Sequence, residues 1–383
     1  MVYDCIVVGV GGMGSAVCAH LAQRGKRVLG LEQFTPGHAL GSSHGESRII
    51  RTAYYEHPDY VPLVRRAFVL WDQLEKETGE SLLLPSPCLS IGRHDSELIE
   101  GVQQAAKQHQ LAITHLKADE IKAKYPIFDF PSTFEGIIEQ QAGILRVEKC
   151  VLAHQKIAEK FGAELHFQEK VINYLPEKNS ITVQTDRMNY ETEKIIFCGG
   201  AWSKQFLQLS GNNPFPLRLM RQVMFWFDLA SVPDFRIGNF PVFIAAVPEG
   251  EFYGMPWFDE MGVKMARHYG ASEVDRVEQI ERDVSMGEEQ WMMDQLGKWM
   301  PRAKAPLKKS QTCIYTLTPD RHFLIDHLPQ DDRIWFATGF SGHGFKFASV
   351  VGELMADLAI HGETKLGIER FLYKRFLSEA REK

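Results

Sequence analysis

Three things are scarce in this 383-residue chain, and each scarcity closes off a class of function. Positive charge is not in excess: the formal net charge is −6, so the basic footprint of a nucleic-acid binder is missing. Long apolar runs are missing too, and none approaches the ~20 residues that cross a bilayer. The first short one, Cys5–Val8, leads at once into glycines and an amphipathic stretch, which is not how a signal peptide continues. Cysteine is thinly scattered, at 5, 18, 88, 150, 198 and 313, with no CxxC or metal-like spacing. Neither a disulfide framework nor a metal site is expected from that pattern. Repeats and low-complexity tracts are absent. The tail, Ala380-Arg381-Glu382-Lys383, carries no peroxisomal tripeptide, so a cytoplasmic location is the expectation.

What is present is a 44% hydrophobic, 24% charged composition, that of a globular protein long enough for two lobes. Residues 4–32 are the most informative. An apolar strand, Cys5–Val8, runs into Gly9-x-Gly11-x-x-Gly14, and the helix that follows reaches about Arg24. A second strand, Val28–Leu31, ends at Glu32. Gly9 permits a tight turn, Gly11 a close approach to a pyrophosphate, and Gly14 close packing of helix on strand. The anion would rest on the helix N-terminus, where free N–H groups and the macrodipole favour negative charge. An acid 18 residues past Gly14 suits a ribose hydroxyl and disfavours a 2′-phosphate, so NAD or FAD is preferred to NADP.

Further along, 59–78, 96–110 and 145–161 have helical periodicity, the last closing on Gly162, and 81–92 reads as a strand punctuated by proline. Residues 163–200 alternate like several short strands, the last, Lys194–Cys198, entering Gly199-Gly200. The aromatic, β-branched stretch 211–308 suits a mixed or antiparallel sheet. A second strand–glycine loop–helix unit follows at Ile334–Ala337 and Ala348–Ala359. The expected architecture is α/β with an α+β second lobe. A discontinuous nucleotide domain takes 1–80, 145–210 and 310–383, and a substrate domain takes 81–144 and 211–309.

Four segments carry chemistry-bearing residues. Gly41-Ser42-Ser43-His44-Gly45-Glu46-Ser47-Arg48-Ile49-Ile50-Arg51 puts two arginines three apart, which would share a face on a helical turn; alone it also reads as a solvated basic turn. Gly339-Phe340-Ser341-Gly342-His343-Gly344-Phe345-Lys346 interleaves glycines with aromatics, a pattern for close backbone approach to a flat ligand, or for a flexible surface loop. Cys313-Ile314-Tyr315 lies in a strand-like stretch, where a cysteine by itself reads as core. Tyr253-Gly254-Met255-Pro256 precedes Lys264 and His268; such a lysine is either exposed or buried for a purpose.

Together, and in this order, the four segments resemble the monomeric sarcosine oxidase family of flavin amine oxidases, which includes N-methyltryptophan and pipecolate oxidases and, more distantly, fructosyl amino acid oxidases. The resemblance covers nearly the whole chain and implies the D-amino-acid oxidase/sarcosine oxidase fold. It implies FAD, joined covalently to Cys313 and held by Gly9, Gly11, Gly12, Met13, Gly14, Glu32, Gln33, Ser42, Ser43, His44, Arg48, Val171, Gly199, Trp202, Phe340, Gly342, His343, Gly344, Phe345 and Lys346. Arg51 and Lys346 match the cations that hold a substrate carboxylate, and Lys264 matches the lysine that activates oxygen. His44 and Arg48 match residues beside the flavin ring, and Tyr253, His268, Tyr315 and His343 match residues around the amine. Of these, Lys264, His268, Tyr253, Arg48 and His44 are the catalytic candidates.

The chain departs from the family pattern at four places: Ile244, where a pocket methionine is usual, Arg267 before His268, and Trp257 and Phe258 after the Y-G-M-P element. The implied activity is oxidative demethylation of a secondary amino acid such as sarcosine, giving glycine, formaldehyde and hydrogen peroxide with oxygen as acceptor. Alternatives are oxidation of N-methyltryptophan, pipecolate or fructosyl amino acids, a same-fold dehydrogenase that does not use oxygen, or a catalytically silent flavoprotein. A monomer acting on a small molecule, without nucleic-acid or membrane partners, is expected.

Overall fold

The computed structural model describes residues 2–208, 215–229, 232–260, 262–303 and 305–376; the tail residues Ala380–Lys383 and the expected boundary at 210 lie outside them. Its first sheet has eight strands. The parallel core runs Glu164–Phe167, Val28–Glu32, Val2–Val8, Asn189–Phe197 and Asp331–Thr338. Asn189–Phe197 is long enough to serve two neighbours along one edge, Ile181–Thr185 with its first half and Asp331–Thr338 with its last residues. Ile6, Val7, Leu29, Ile195 and Ile196 are fully buried, as a parallel strand covered on both faces requires. Helices Gly12–Gln23, Val147–Lys160 and Ala348–His361 supply part of that cover.

The second sheet has nine strands and is antiparallel except where Val242–Val247 lies parallel to Cys88–Arg93. Its longest pairing joins Arg218–Phe227 to Leu307–Leu317. A third, three-stranded sheet places Ser47–Arg51 and Leu83–Pro85 on either side of Ala142–Arg146. No helix of the described residues is long and apolar enough to cross a membrane.

Four local expectations change. Arg48 and Arg51 lie on an extended strand, not a helical turn, so no shared helical face relates them. Residues 81–92 form two strands in different sheets, Leu83–Pro85 and Cys88–Arg93, split at Ser86-Pro87, where proline has no N–H to continue a ladder. The helix expected from 145 starts at Val147, because Leu145 and Arg146 are already paired in the third sheet. The stretch 211–308 also holds a helix, Met286–Trp299, capped by Ser285, whose Oγ accepts from the Glu288 N–H at 3.3 Å. That is a capping box, readable as S-x-x-E.

Close helix packing in the nucleotide sheet rests on a glycine. A Cβ at Gly352 would lie 2.6 Å from the Ala16 backbone carbon, whereas one at Gly297, inside the helix Met286–Trp299, would meet nothing within 4 Å. Gly352→Ala is therefore expected to lower stability by roughly 1–3 kcal/mol through overpacking. Gly297→Ala should raise it by up to about 1 kcal/mol through helix propensity. Urea titrations of the two variants should move in opposite directions; movement in the same direction would contradict the packing described.

A candidate active site at the seam of two sheets

The larger cleft, about 1290 Å³ with its open mouth included, is walled at one end by the turn after the first strand. Gly9 has φ +91°, and a Cβ there would lie 2.6 Å from the Cys198 carbonyl oxygen. A Cβ at Gly14 would lie 1.7 Å from the Gly9 carbonyl oxygen, so only glycine lets the helix sit so close to its own strand. At Gly11 the only atom within 4 Å of such a carbon is Ser43 Oγ, at 3.9 Å, so the turn leaves open room there. The helix starting at Gly12 has neither a side-chain cap nor an acidic residue in its first turn, which leaves its positive end for an anion. Glu32 closes the far end, its Oε2 accepting from the Val10 N–H at 3.0 Å and its Oε1 from the Phe34 N–H at 3.1 Å. Gly12, Met13, Gln33, Ser42, Ser43, Val171, Gly199, Trp202, Phe340, Gly342, Gly344 and Phe345 line the same cleft. A glycine cradle, a helix terminus and a terminal carboxylate fit a dinucleotide such as FAD.

A smaller cavity, about 670 Å³ with its open mouth included, adjoins it, and Arg48, Cys313, Tyr315, Gly342 and Phe345 wall both. Its floor is one face of the second sheet. Ile244 pairs with Tyr253, Tyr253 with Ala266, Ala266 with Met224. In the neighbouring row Ala246 pairs with Glu251, Glu251 with His268, and Gln222 with Cys313. Met255, Lys264 and Trp226 form the next. Side chains alternate along a strand, so these residues share a face by register alone. The intervening positions face elsewhere: Arg267 lies over the Trp291 ring at 4.7 Å. Trp257 and Phe258, met by Arg236 and Arg146, also lie off both cavities, so of the four departures only Ile244 reaches one.

The loop 41–51 forms part of the opposite wall and is pinned from two sides. Gly45 and Glu46 have φ +87° and +69°, and their N–H groups are accepted by the Glu148 carboxylate at 2.7 and 3.0 Å. From the sheet, Lys264 Nζ donates to the carbonyls of Gly45 and Ser47 at 2.7 and 2.9 Å. Burial, then repulsion from Arg48, pushes the Lys264 amine well below its ordinary value. Arg48 donates to the Ser47 and Ser42 carbonyls, both at 2.8 Å, and Nη2 lies 3.5 Å from Cys313 Sγ. His44 Nε2 faces the Gly41 carbonyl at 3.1 Å; burial and the neighbouring Arg48 and Lys264 hold it down to about 3, so it is neutral.

In the smaller cavity Arg51 donates to Glu56 Oε2 at 2.6 Å and to the Ala53 carbonyl at 2.8 Å, and lies over the Tyr54 and Tyr55 rings. Burial, the largest single influence, would raise the Glu56 carboxyl; the charge and hydrogen bond of Arg51, with His343 and Lys346, together outweigh it and hold Glu56 at about 2. Lys346 Nζ donates to the His343 carbonyl at 2.7 Å and to Tyr54 Oη at 3.2 Å. Burial, then Arg51, lowers it to about 7. His343 Nε2 is 3.0 Å from the Arg321 carbonyl, which only accepts, so Nε2 carries the proton and Nδ1 can accept from Tyr54 Oη at 2.6 Å. Burial holds His343 at about 4 and His268 at about 3. His268 Nδ1 lies 3.1 Å from the Tyr315 hydroxyl.

The structure thus brings Arg48, Arg51, Ile244, Tyr253, His268, Cys313, Tyr315, His343 and Lys346 to one cavity. Gly14, His44 and Lys264 line neither; they are buried one layer behind the walls. Reading by sequence missed Glu56, Tyr54, Tyr55, Gln222, Met224 and Glu251. Strand alternation could have found Glu251, two residues before Tyr253. No group of three or more metal-ligating side chains occurs among the described residues.

A family model described as FAD dependent oxidoreductase matches residues 4–358. A monomeric sarcosine oxidase of Streptomyces avermitilis is 41% identical over 94% of this chain and 94% of its own. An N-methyl-L-tryptophan oxidase of Yersinia pestis is 33% identical over 98% of this chain and 100% of its own. In fold, the chain is similar to NikD, described as an unusual amino acid oxidase essential for nikkomycin biosynthesis, with TM-score 0.87, 23% identity and 97% of each chain covered.

The Arg51–Glu56 pair sets a pH test. A carboxyl held at about 2 in the fold, against 4.5 ordinarily, stabilises the protein fully above pH 4.5 and loses that contribution as pH falls toward 2. Glu56→Gln is expected to cost roughly 2–4 kcal/mol at pH 7, because it strands a buried guanidinium. The deficit in urea should shrink as pH is lowered through that window; a deficit independent of pH would show that the pair contributes nothing through charge.

Proposed function

Because the chain belongs to the FAD dependent oxidoreductase family, we propose that it oxidises secondary amino acids of the N-methyl type, with sarcosine the simplest, and that oxygen is the acceptor. Sarcosine, water and oxygen would give glycine, formaldehyde and hydrogen peroxide. The observation that carries this reading is the shared wall. Arg48, Cys313, Tyr315, Gly342 and Phe345 border both the cleft that fits a dinucleotide and the cavity that holds Arg51 and Lys346. The enzyme names of the relatives support it.

FAD would be held by the Gly9–Gly14 turn, Glu32, Gln33, the 41–48 and 339–346 loops, Val171, Gly199 and Trp202, with Cys313 as the point of attachment. When bound it supplies the two-electron acceptor that no side chain can provide. The chain's own residues do the rest. Arg51 and Lys346 clamp the carboxylate; an arriving anion favours the protonated form of Lys346, which otherwise titrates at about 7. Neutral His268, with Tyr253, Tyr315 and His343, surrounds the amine, and neutral imidazole can accept a hydrogen bond from it. Arg48, half-buried and with no carboxylate bonded to it among the described residues, stabilises negative charge beside it. Lys264, set behind the wall, would act on oxygen through water. We also propose the discontinuous two-domain division drawn from the sequence, a cytoplasmic location and a monomer, the last supported by the relatives' name.

The deciding experiment is product analysis. Holoenzyme with sarcosine in air should yield glycine, formaldehyde and peroxide in equal amounts. Turnover of pipecolate or a fructosyl amino acid without sarcosine turnover reassigns the substrate, and substrate oxidation without peroxide removes oxygen from the reading. The same preparation, precipitated with acid, should keep its yellow colour in the pellet; colour released to the supernatant rules out attachment at Cys313.

Lys264 has its own test. A preorganised hydrogen-bond donor near developing negative charge is worth about 3–4 kcal/mol at comparable sites, or ~10²–10³ in rate. Lys264→Met should slow reoxidation by oxygen by about that factor, while anaerobic reduction by sarcosine changes far less. Equal losses in both half-reactions would point to a purely structural lysine.

A further inference from the structure

The carboxylate clamp and the wall shared by the two cavities leave one ionisable group of the smaller cavity without a task. Glu251 lies on the strand Gly250–Met255, and its cross-strand partners are Ala246 and His268. Its register puts it on the floor of the smaller cavity, which it lines. The Tyr55 hydroxyl donates to Oε1 at 2.9 Å. Among the described residues no other hydrogen bond and no ion pair reaches this carboxyl, so Oε2 is free to bond a ligand. Arg51, the cation whose charge is felt there, is already committed to Glu56. Around the pair the wall is apolar: Ile244 and Ile49 pack with Tyr55, and the helix Glu97–His109 backs it with Leu98, Ile99 and Val102.

A carboxyl with one unbonded oxygen, set beside an apolar stretch of wall, is costly unless something bonds to it. Tyr55 orients one oxygen and leaves the other free. Sarcosine has a carboxylate, which Arg51 and Lys346 serve, and an amine, but no third polar group. Resting on the amino-acid reading above, we propose that Glu251, oriented by Tyr55, is a specificity-determining residue that hydrogen-bonds a polar group, of the hydroxyl or amide class, carried by the side chain of the substrate amino acid. Burial raises the carboxyl to about 8, so near neutral pH it is largely un-ionised and can both donate to and accept from such a group. A hydrocarbon side chain would leave it unpaired, at a penalty.

Carboxylic acids without the amine test this by binding alone. The probes are 4-hydroxybutanoate and pentanoate, which match in length and differ in one terminal atom, titrated into holoenzyme by calorimetry with the flavin spectrum followed in parallel. Wild type should prefer the hydroxy acid by roughly tenfold or more, since a site built to bond a hydroxyl discriminates strongly against its absence. Glu251→Leu should abolish or invert that preference while still binding pentanoate. Tyr55→Phe, which keeps the carboxyl but frees it, should reduce the preference without abolishing it. Equal binding of both acids by wild type, or a preference that survives Glu251→Leu, overturns the assignment. Should Glu251→Leu not fold, Glu251→Gln decides: an amide keeps hydrogen bonding, so it should retain most of the preference, and complete loss would overturn the proposal. Failure of the underlying reading looks different: neither acid would bind, and no amino acid would bleach the flavin anaerobically.

Discussion

Four basic side chains, Arg48, Arg51, Lys264 and Lys346, are buried or half-buried at or just behind the walls of the two cavities, and the rest of the site is arranged around satisfying them. Among the described residues only Arg51 has a carboxylate partner, Glu56. The other three donate mainly to backbone carbonyls: Ser42 and Ser47 for Arg48, Gly45 and Ser47 for Lys264, His343 for Lys346. Carbonyls can satisfy the N–H groups but not neutralise the charge. The electrostatic consequence is direct. Both lysines are pushed down by burial, and the nearest histidines, His44, His268 and His343, are held neutral. A seam built this way is unfavourable for the empty protein and favourable for any anion that enters it.

That constraint also explains the backbone. For the carbonyls of residues 41–47 to reach inward, the loop must adopt left-handed conformations at Gly45 and Glu46, and glutamate is an uncommon occupant of that region. Glu148 holds the strained turn by accepting both N–H groups from the far side. The loop after Thr338 does the same with Gly339, Ser341 and Gly342, at φ +63°, +47° and +82°. A Cβ at Gly342 would lie 2.3 Å from the Tyr315 ring, so tyrosine and loop backbone can share the wall only because that side chain is missing. Glycine is thus required where the backbone itself acts as a ligand or approaches one.

The parts legible in the sequence are those whose spacing is local. Gly9, Gly11, Gly14 and Glu32 span a single strand–helix–strand unit; the structure keeps Gly9, Gly11 and Glu32 in one cleft, with Gly14 packed against the Gly9 carbonyl just behind it. For the candidate residues between 244 and 315 only the family resemblance carries a signal, because nothing local distinguishes a lysine such as Lys264 from an exposed one. What remained hidden has the same cause. Glu56 and Glu251 look like surface acids until pairing is known. Arg48 and Arg51 sit three apart, which suggests a helical face, but the partner strand Ala142–Arg146 pulls the segment into a sheet. The helix Met286–Trp299 has a first turn of Met, Gly and two glutamates amid strand signals, so its capping box is its main local mark.

The remaining step concerns register. Ile244, Glu251, Tyr253, Lys264, His268, Cys313 and Tyr315 come from four strands, yet they share a face because each strand contributes alternate positions. A one-residue slip of any strand would turn its contribution to the other face. The pairing of Arg218–Phe227 with Leu307–Leu317 resists such a slip, running unshifted from Arg218 to Trp226 and absorbing its irregularity only beyond that point. Cys313 and Tyr315 lie within the unshifted part, opposite Gln222 and Met220. The irregular end, at Phe227, lies past Trp226 and therefore past Lys264, the last site residue in that direction. The sheet is regular across the face that carries chemistry and yields only outside it, so the geometry of the cavity floor is set by backbone hydrogen bonds rather than by the polar side chains that it displays.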